Sequence, residues 1–141
     1  MNVKSEDSSP PKQGVVVSVG QCGFDNGQMR DLIRSLDPAL EIRTADDFEE
    51  TLDLLASAKG RIRLVLVNRV LDADGSSGID LIRTIRASAD RLGNVPLMLV
   101  SDREPAQAQA IAEGALPGFG KSAIRSAQTR ERFRQAIESG G

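Results

Sequence analysis

The stretch Leu64-Val65-Leu66-Val67-Asn68-Arg69-Val70 decides the fold and frames the question of function. Its four leading apolar residues, two of them β-branched, have the length and shape of a parallel strand buried on both faces. Asn68 then stands at the carboxyl end of that strand, which is where open α/β sheets carry their chemistry. A polar loop follows, Asp72-Ala73-Asp74-Gly75-Ser76-Ser77-Gly78, and then Ile79-Asp80-Leu81-Ile82-Arg83-Thr84-Ile85-Arg86, whose apolar spacing is helical.

The same alternation extends in both directions. Val15–Val19 reads as a first strand, followed by a glycine-punctuated loop from Gly20 to Gly27 and a helical stripe at Met29, Leu32, Ile33 and Leu36 that Pro38 stops. Leu40–Thr44 alternates as a half-exposed strand. Asp46, with Glu49 three residues later, reads as the cap of a helix bearing Phe48, Leu52, Leu55 and Ala56. Val95–Val100 is a fourth buried strand ending at Ser101. Pro105 suits the first turn of a helix running to about Glu113, and Gly114 suits the residue just past it. Ala115-Leu116 is a weak fifth strand. Ser122 or Ser126 opens a last helix with Ile124, Ala127, Phe133, Ala136 and Ile137 inward. Strands alternating with helices predict βαβ units and a parallel sheet, five units in a three-layer sandwich of the flavodoxin-like kind.

Composition narrows the function classes. The chain has 141 residues and reads as one domain over 14–138, with a polar, proline-broken tail over 1–13 read as disordered and a flexible end at 139–141. A net charge of −2 argues against a nucleic-acid-binding domain, and there is neither a membrane-length apolar run nor a signal-peptide pattern, so the expected location is the cytoplasm. His, Trp and Tyr are absent, which removes imidazole acid/base catalysis and imidazole metal ligation. Cys22 is the single cysteine, so no intrachain disulfide forms.

Three segments in order resemble a response-regulator receiver domain: the strand ending at Asn68, the strand Val95–Val100 ending at Ser101, and Gly114-Ala115-Leu116-Pro117-Gly118-Phe119-Gly120-Lys121. The resemblance covers about residues 14–138 and implies a (βα)5 fold with a five-stranded sheet of order 2-1-3-4-5. In that family an aspartate at the Asn68 position attacks a phosphoryl group. Paired acids after the first strand hold Mg²⁺ with it, and the Ser/Thr and Lys positions, here Ser101 and Lys121, engage the transferred group. An aromatic on the fifth strand acts as a switch.

This chain departs from that pattern at most of those positions. Asn68 is no nucleophile for phosphoryl transfer. Gly20 and Gln21 stand where the acid pair belongs, with Asp25 the nearest acid, so Mg²⁺ binding is expected to be weak or absent and no cofactor is expected. The switch position falls on Gly118, and the loop after Asn68 is about two residues long for the family. Plainer alternatives stand beside each reading: Asn68 as a turn cap, Lys121 as an exposed lysine, and Ser101 as a helix-approach residue. Lys121 could instead contact Asn68 or a bound anion. Asp72-Ala73-Asp74-Gly75 lacks the later acid of a calcium loop, since Arg83 occupies that place. The glycines Gly20, Gly23 and Gly27 match no phosphate-loop spacing.

The resulting expectation is a stand-alone, non-enzymatic receiver-like module of two-component or phosphorelay signalling. It would act through contact with a histidine kinase, a scaffold or another signalling protein, independently of phosphorylation. Self-association through the fourth and fifth units is a further expectation, with Arg125, Arg130, Glu131, Arg132, Arg134 and Glu138 as charged candidates. Two alternatives remain open: a receiver that phosphorylates itself with unusual ligands, and a small-ligand or nucleotide-binding flavodoxin-like protein.

Overall fold

The computed structural model describes residues 14–139, so the tail over 1–13 and the last two residues lie outside it. Five parallel strands, β1 (Val15–Val19), β2 (Glu41–Ala45), β3 (Ile62–Asn68), β4 (Leu97–Val100) and β5 (Leu116–Phe119), form one sheet of order 2-1-3-4-5. The helices are α1 (Gly23–Leu36), α2 (Phe48–Ser57), α3 (Gly78–Ala87), the single turn α4 (Ala89–Leu92), α5 (Glu104–Ala112) and α6 (Ala127–Ser139). A 3-10 turn, Lys121–Ala123, leads into α6. Ser139, expected in a flexible end, closes α6.

Strand alternation splits the core into two layers. Val15, Val17, Val19, Val65, Val67, Leu97 and Leu99 face α2, α3 and α5, where Leu55, Leu81, Ile82, Ile85 and Ala110 close the layer. Val16, Leu64, Leu66, Met98 and Val100 face α1 and α6, meeting Met29, Ile33 and Phe133. Full burial of each such side chain contributes roughly 1.5–3 kcal/mol, so two filled layers secure the sandwich. Phe119 and Phe133 tilt against each other at 5.0 Å between ring centroids, fastening β5 to α6.

Some boundaries differ from the sequence reading. The Gly20–Gly27 loop shrinks to three residues, because α1 starts at Gly23 and absorbs Gly27. Burial of Met29 and Ile33 draws the helix backward through residues of low propensity. The cap of α2 is Asp47, whose carboxylate accepts from the Glu50 amide at 2.8 Å, so the capping pair sits one residue later than expected. In α2 the buried positions include Thr51 and Leu54, while Ala56 is exposed. Ser126 rather than Ser122 caps α6, accepting from the Thr129 amide at 3.1 Å, and Thr129 is buried where Ala127 was expected.

Edge strand β5 is short and contains Pro117, which has no N–H to offer. Its pairing with β4 is irregular: Met98 lies opposite Leu116, but Val100 lies opposite Phe119, so β5 carries one extra residue beside Leu99.

Candidate functional site

The sheet order reverses between β1 and β3, and a crevice forms at their carboxyl ends, the usual ligand position in open α/β sheets. Gly20 follows β1, Asn68 ends β3, Ser101 follows β4, and Lys121 opens the turn after β5. The fold therefore brings four of the sequence-selected residues to one edge.

Asn68 spans the reversal point. Its side-chain Nδ2 donates to the Gly20 carbonyl at 3.3 Å and to the Val70 carbonyl at 2.8 Å. The amide group is thus a two-way clasp, binding β1 to β3 and folding the next loop back on itself, which agrees with the turn-cap alternative.

The long loop after β3 is an ordered excursion. Val70 and Ser77 form an isolated antiparallel bridge, the Leu71 amide donates to Ser76 O at 2.9 Å, and Gly75 N to Leu71 O at 2.8 Å. The Asp74 carboxylate accepts from both the amide and the hydroxyl of Ser76, which hold it below the usual carboxylate range. Leu71 is fully buried, and the Asp72 amide donates to Gly20 O at 3.0 Å. This packing dictates the residue at position 20. Gly20 has φ +74°, and a Cβ there would lie 2.4 Å from Leu71 Cδ2 and 2.9 Å from its Cα. The excursion occupies the space that a side chain at position 20 would need.

Gln21 is only 5% exposed, and neither atom of its side-chain amide has a hydrogen-bond partner among the described residues. Its backbone carbonyl accepts from Asn26 Nδ2 at 3.3 Å, and Asn26 Oδ1 accepts from the buried Ser18 hydroxyl at 2.7 Å. That chain of bonds ties the first turn of α1 to β1 beneath the crevice.

Lys121 is half exposed and is paired with Asp25, with no hydrogen bond to Asn68. Its Nζ lies 2.6 Å from Asp25 Oδ2, which also accepts from Cys22 Sγ at 3.2 Å. Burial pushes the Asp25 carboxyl up, but the hydrogen bonds from Lys121 and Cys22 and the lysine charge outweigh it, and the carboxyl ends below its usual range. A lowered folded pKa adds stability above the unfolded carboxylate range, near pH 4, and that stability is lost as pH falls through the folded value. Chemical denaturation of native protein and Asp25→Asn from pH 3 to 7 is expected to show the variant weaker by about 1 kcal/mol near pH 7, a modest figure because Lys121 is half exposed, with the gap closing below pH 4. The Ser101 hydroxyl accepts from the Arg103 amide at 3.1 Å, steering the chain into α5 as the helix-approach alternative has it.

No family model matches the chain, and no curated protein does. Solved structures do. The chain is similar to the signal receiver domain of a DNA-binding response regulator (merR) from Colwellia psychrerythraea 34H, with TM-score 0.72, 16% identity, and coverage of 89% of this chain and 99% of that one. A response regulator receiver protein from Pseudoalteromonas atlantica gives TM-score 0.70 at 18% identity, covering 90% and 99%. The receiver domain of NtrX from Brucella abortus gives 0.60 at 23%, covering 88% and 98%. In a longer NtrX chain the matched part is 28% of the whole.

The fold is that of a receiver domain.

Against the receiver pattern, Ser101 and Lys121 keep the expected residue types, yet their side chains are engaged with Arg103 and Asp25. The switch position, Gly118, is filled from elsewhere. A Cβ on Gly118 would lie 2.2 Å from Leu99 O and 3.0 Å from Gln107 Oε1. Gln107, on α5, donates through Nε2 to Leu99 O at 2.9 Å and Ser101 O at 3.0 Å, and its Oε1 accepts from the Gly118 amide at 3.0 Å. One side chain thus bonds backbone groups of both strands beside the β4–β5 irregularity. The sequence reading had no role for Gln107; a glycine where the receiver resemblance implies an aromatic was the available signal that another side chain fills the gap.

Five of the six charged residues expected to serve self-association have partners within the chain. Arg134 pairs with Glu131 and Glu138, Arg130 reaches Ser35 on α1, and Arg132 donates to Gly118 O. Two exposed apolar side chains lie on these units, Ile111 at 45% on α5 and Leu116 at 36% on β5, the latter beside Arg132 and Gln135 of α6. Among the described residues no group of three or more acids and cysteines is placed to hold a metal ion, and no helix is long and apolar enough to cross a membrane.

Proposed function

We propose that the chain is a receiver-like signalling module that acts by protein–protein contact and does not depend on aspartyl phosphorylation. The observation that carries this reading is the clasp at Asn68. A neutral amide whose N–H groups are committed to Gly20 O and Val70 O has no nucleophilic oxygen to offer a phosphoryl donor. Around it, Gly20 and Gln21 supply no carboxylate and Asp25 is paired with Lys121, so the acid pair that would hold a divalent cation is missing. The module is not an enzyme on this reading, and its partners are a histidine kinase, a scaffold, another signalling protein or a second copy. The solvent-facing Ile111 and Leu116 on the side of the fourth and fifth units favour contact there.

Intact mass after incubation with acetyl phosphate and Mg²⁺ tests the reading. The native chain is expected to gain no phosphate. Asn68→Asp is expected to gain none either, since the change restores the acceptor without the acid pair and sets a carboxylate against two carbonyl oxygens. A phosphate adduct on the native chain would overturn the proposal and direct attention to Asp25, Asp72 or Asp74.

A further inference from the structure

We infer that the chain carries a docking trough for an acidic, apolar-anchored peptide segment of a partner protein, along the edge between the β3–α3 excursion and the start of α5. The inference rests on the protein-contact reading above and names a surface and a partner chemistry for it.

Two clefts meet there. One, of about 270 Å³, lies over Asn68, Ser101 and Lys121. The other, of about 540 Å³, lies between Val70 and Ile79 on one side and Pro105 and Ala106 on the other. Arg69, Val70 and Arg103 line both, so the clefts join into one trough. Val70 is 40% exposed, one of three large apolar side chains so placed among the described residues, and it stands at the centre of the junction. Its neighbours Ile79 and Pro105 extend the apolar floor.

The charge at the junction is one-sided. Among the described residues neither the Arg69 nor the Arg103 guanidinium has an ion-pair or hydrogen-bond partner, whereas Arg43, Arg61, Arg83 and Arg134 are all paired with carboxylates. Among the described residues, the larger cleft has no acid in its lining, and the smaller has only Asp102, which accepts from the Ser122 hydroxyl. Two free guanidiniums flanking an exposed valine select carboxylates on either side of an aliphatic or aromatic residue: arginine forks take carboxylates two-pronged, and the apolar floor takes the residue between them. A nucleic-acid strand fits poorly, because the trough offers no aromatic stacking surface.

Panning a random dodecapeptide phage library on the native chain tests the inference, with the Arg69→Glu/Arg103→Glu variant and an Arg91→Glu variant as parallel baits. Arg91 is an exposed arginine remote from the trough, so its reversal imposes a charge change without touching the junction. Clones rich in Asp and Glu around a Leu, Met or Phe are expected on the native chain. Their synthetic peptides are expected to bind the double variant at least about tenfold more weakly by fluorescence anisotropy, and the Arg91 variant within about twofold. Val70→Asp is expected to abolish binding as well. Should the double variant fail the circular dichroism check for folding, Arg69→Ala and Arg103→Ala singly carry the same expectation. Absence of acidic–apolar enrichment would overturn the trough, as would equal loss on Arg91→Glu. Clones that ignore the arginines but are lost with Ile111→Glu would overturn the trough and leave the protein-contact reading standing.

Discussion

Gln107→Leu is expected to lower the melting temperature by roughly 10 °C, corresponding to about 2–4 kcal/mol, with the secondary structure retained. The substitution keeps helix propensity and adds apolar bulk, so neither α5 nor hydrophobic burial accounts for the loss. What disappears is a set of three hydrogen bonds, to Leu99 O, Ser101 O and Gly118 N, at a place where the β4–β5 ladder skips a residue and cannot supply them. Each backbone group left unpaired away from water costs about 1–3 kcal/mol, and partial access of water keeps the total below the full sum. Gln109→Leu, an exposed change on the same helix, is expected to stay within about 0.5 kcal/mol of the native chain. Thermal melts of the two variants side by side check both values. Equal behaviour would mean that the Gln107 bonds contribute nothing.

Gly20→Asp, which returns an acid to the first position after β1, is expected to be at least as damaging. The backbone there is at φ +74°, which costs a side-chain-bearing residue about 1 kcal/mol or more, and the new Cβ runs into Leu71 from a distance of 2.4 Å. Relief requires the 69–77 excursion to lift, exposing Leu71 and breaking the bond from Asp72 N to Gly20 O. Overpacking of a well-filled site adds about 1–3 kcal/mol, for a total of about 2–4 kcal/mol by urea denaturation. Deleting two residues from the excursion is the informative companion: if it restores the stability of the Gly20→Asp chain, the loop and the missing acid are one change seen from two sides.

The sheet was legible because its strands are written in runs of β-branched and aliphatic residues. Val15–Val19, Leu64–Val67 and Val95–Val100 each announce burial on two faces, and five alternating units leave few ways to fold. The start of α1 was not, since Gly23 and Gly27 read as breakers and only the burial of Met29 and Ile33 in the assembled core makes helix worthwhile there. α4 is one turn, too short for any periodicity to register. β5 contains Pro117 and Gly118, poor strand formers held in place by β4 and Gln107. At the site, the departures from the receiver pattern could be read directly from Asn68, Gly20 and Gln21. The pairing of Lys121 with Asp25 was hidden, because it joins residues from opposite ends of the chain, and the collision at Gly20 became visible only once Leu71 was seen to pack over it.

The proline in β5 also governs how copies of this protein tolerate one another. A sheet grows by donating hydrogens along an open margin, and at this margin one of four residues has none to donate. The opposite margin, β2, carries Glu41 and Arg43, with Arg61 closing on the glutamate. Neither side is a template for endless addition, so crowding should produce finite assemblies joined by side chains, which come apart on dilution, in preference to fibres, which do not.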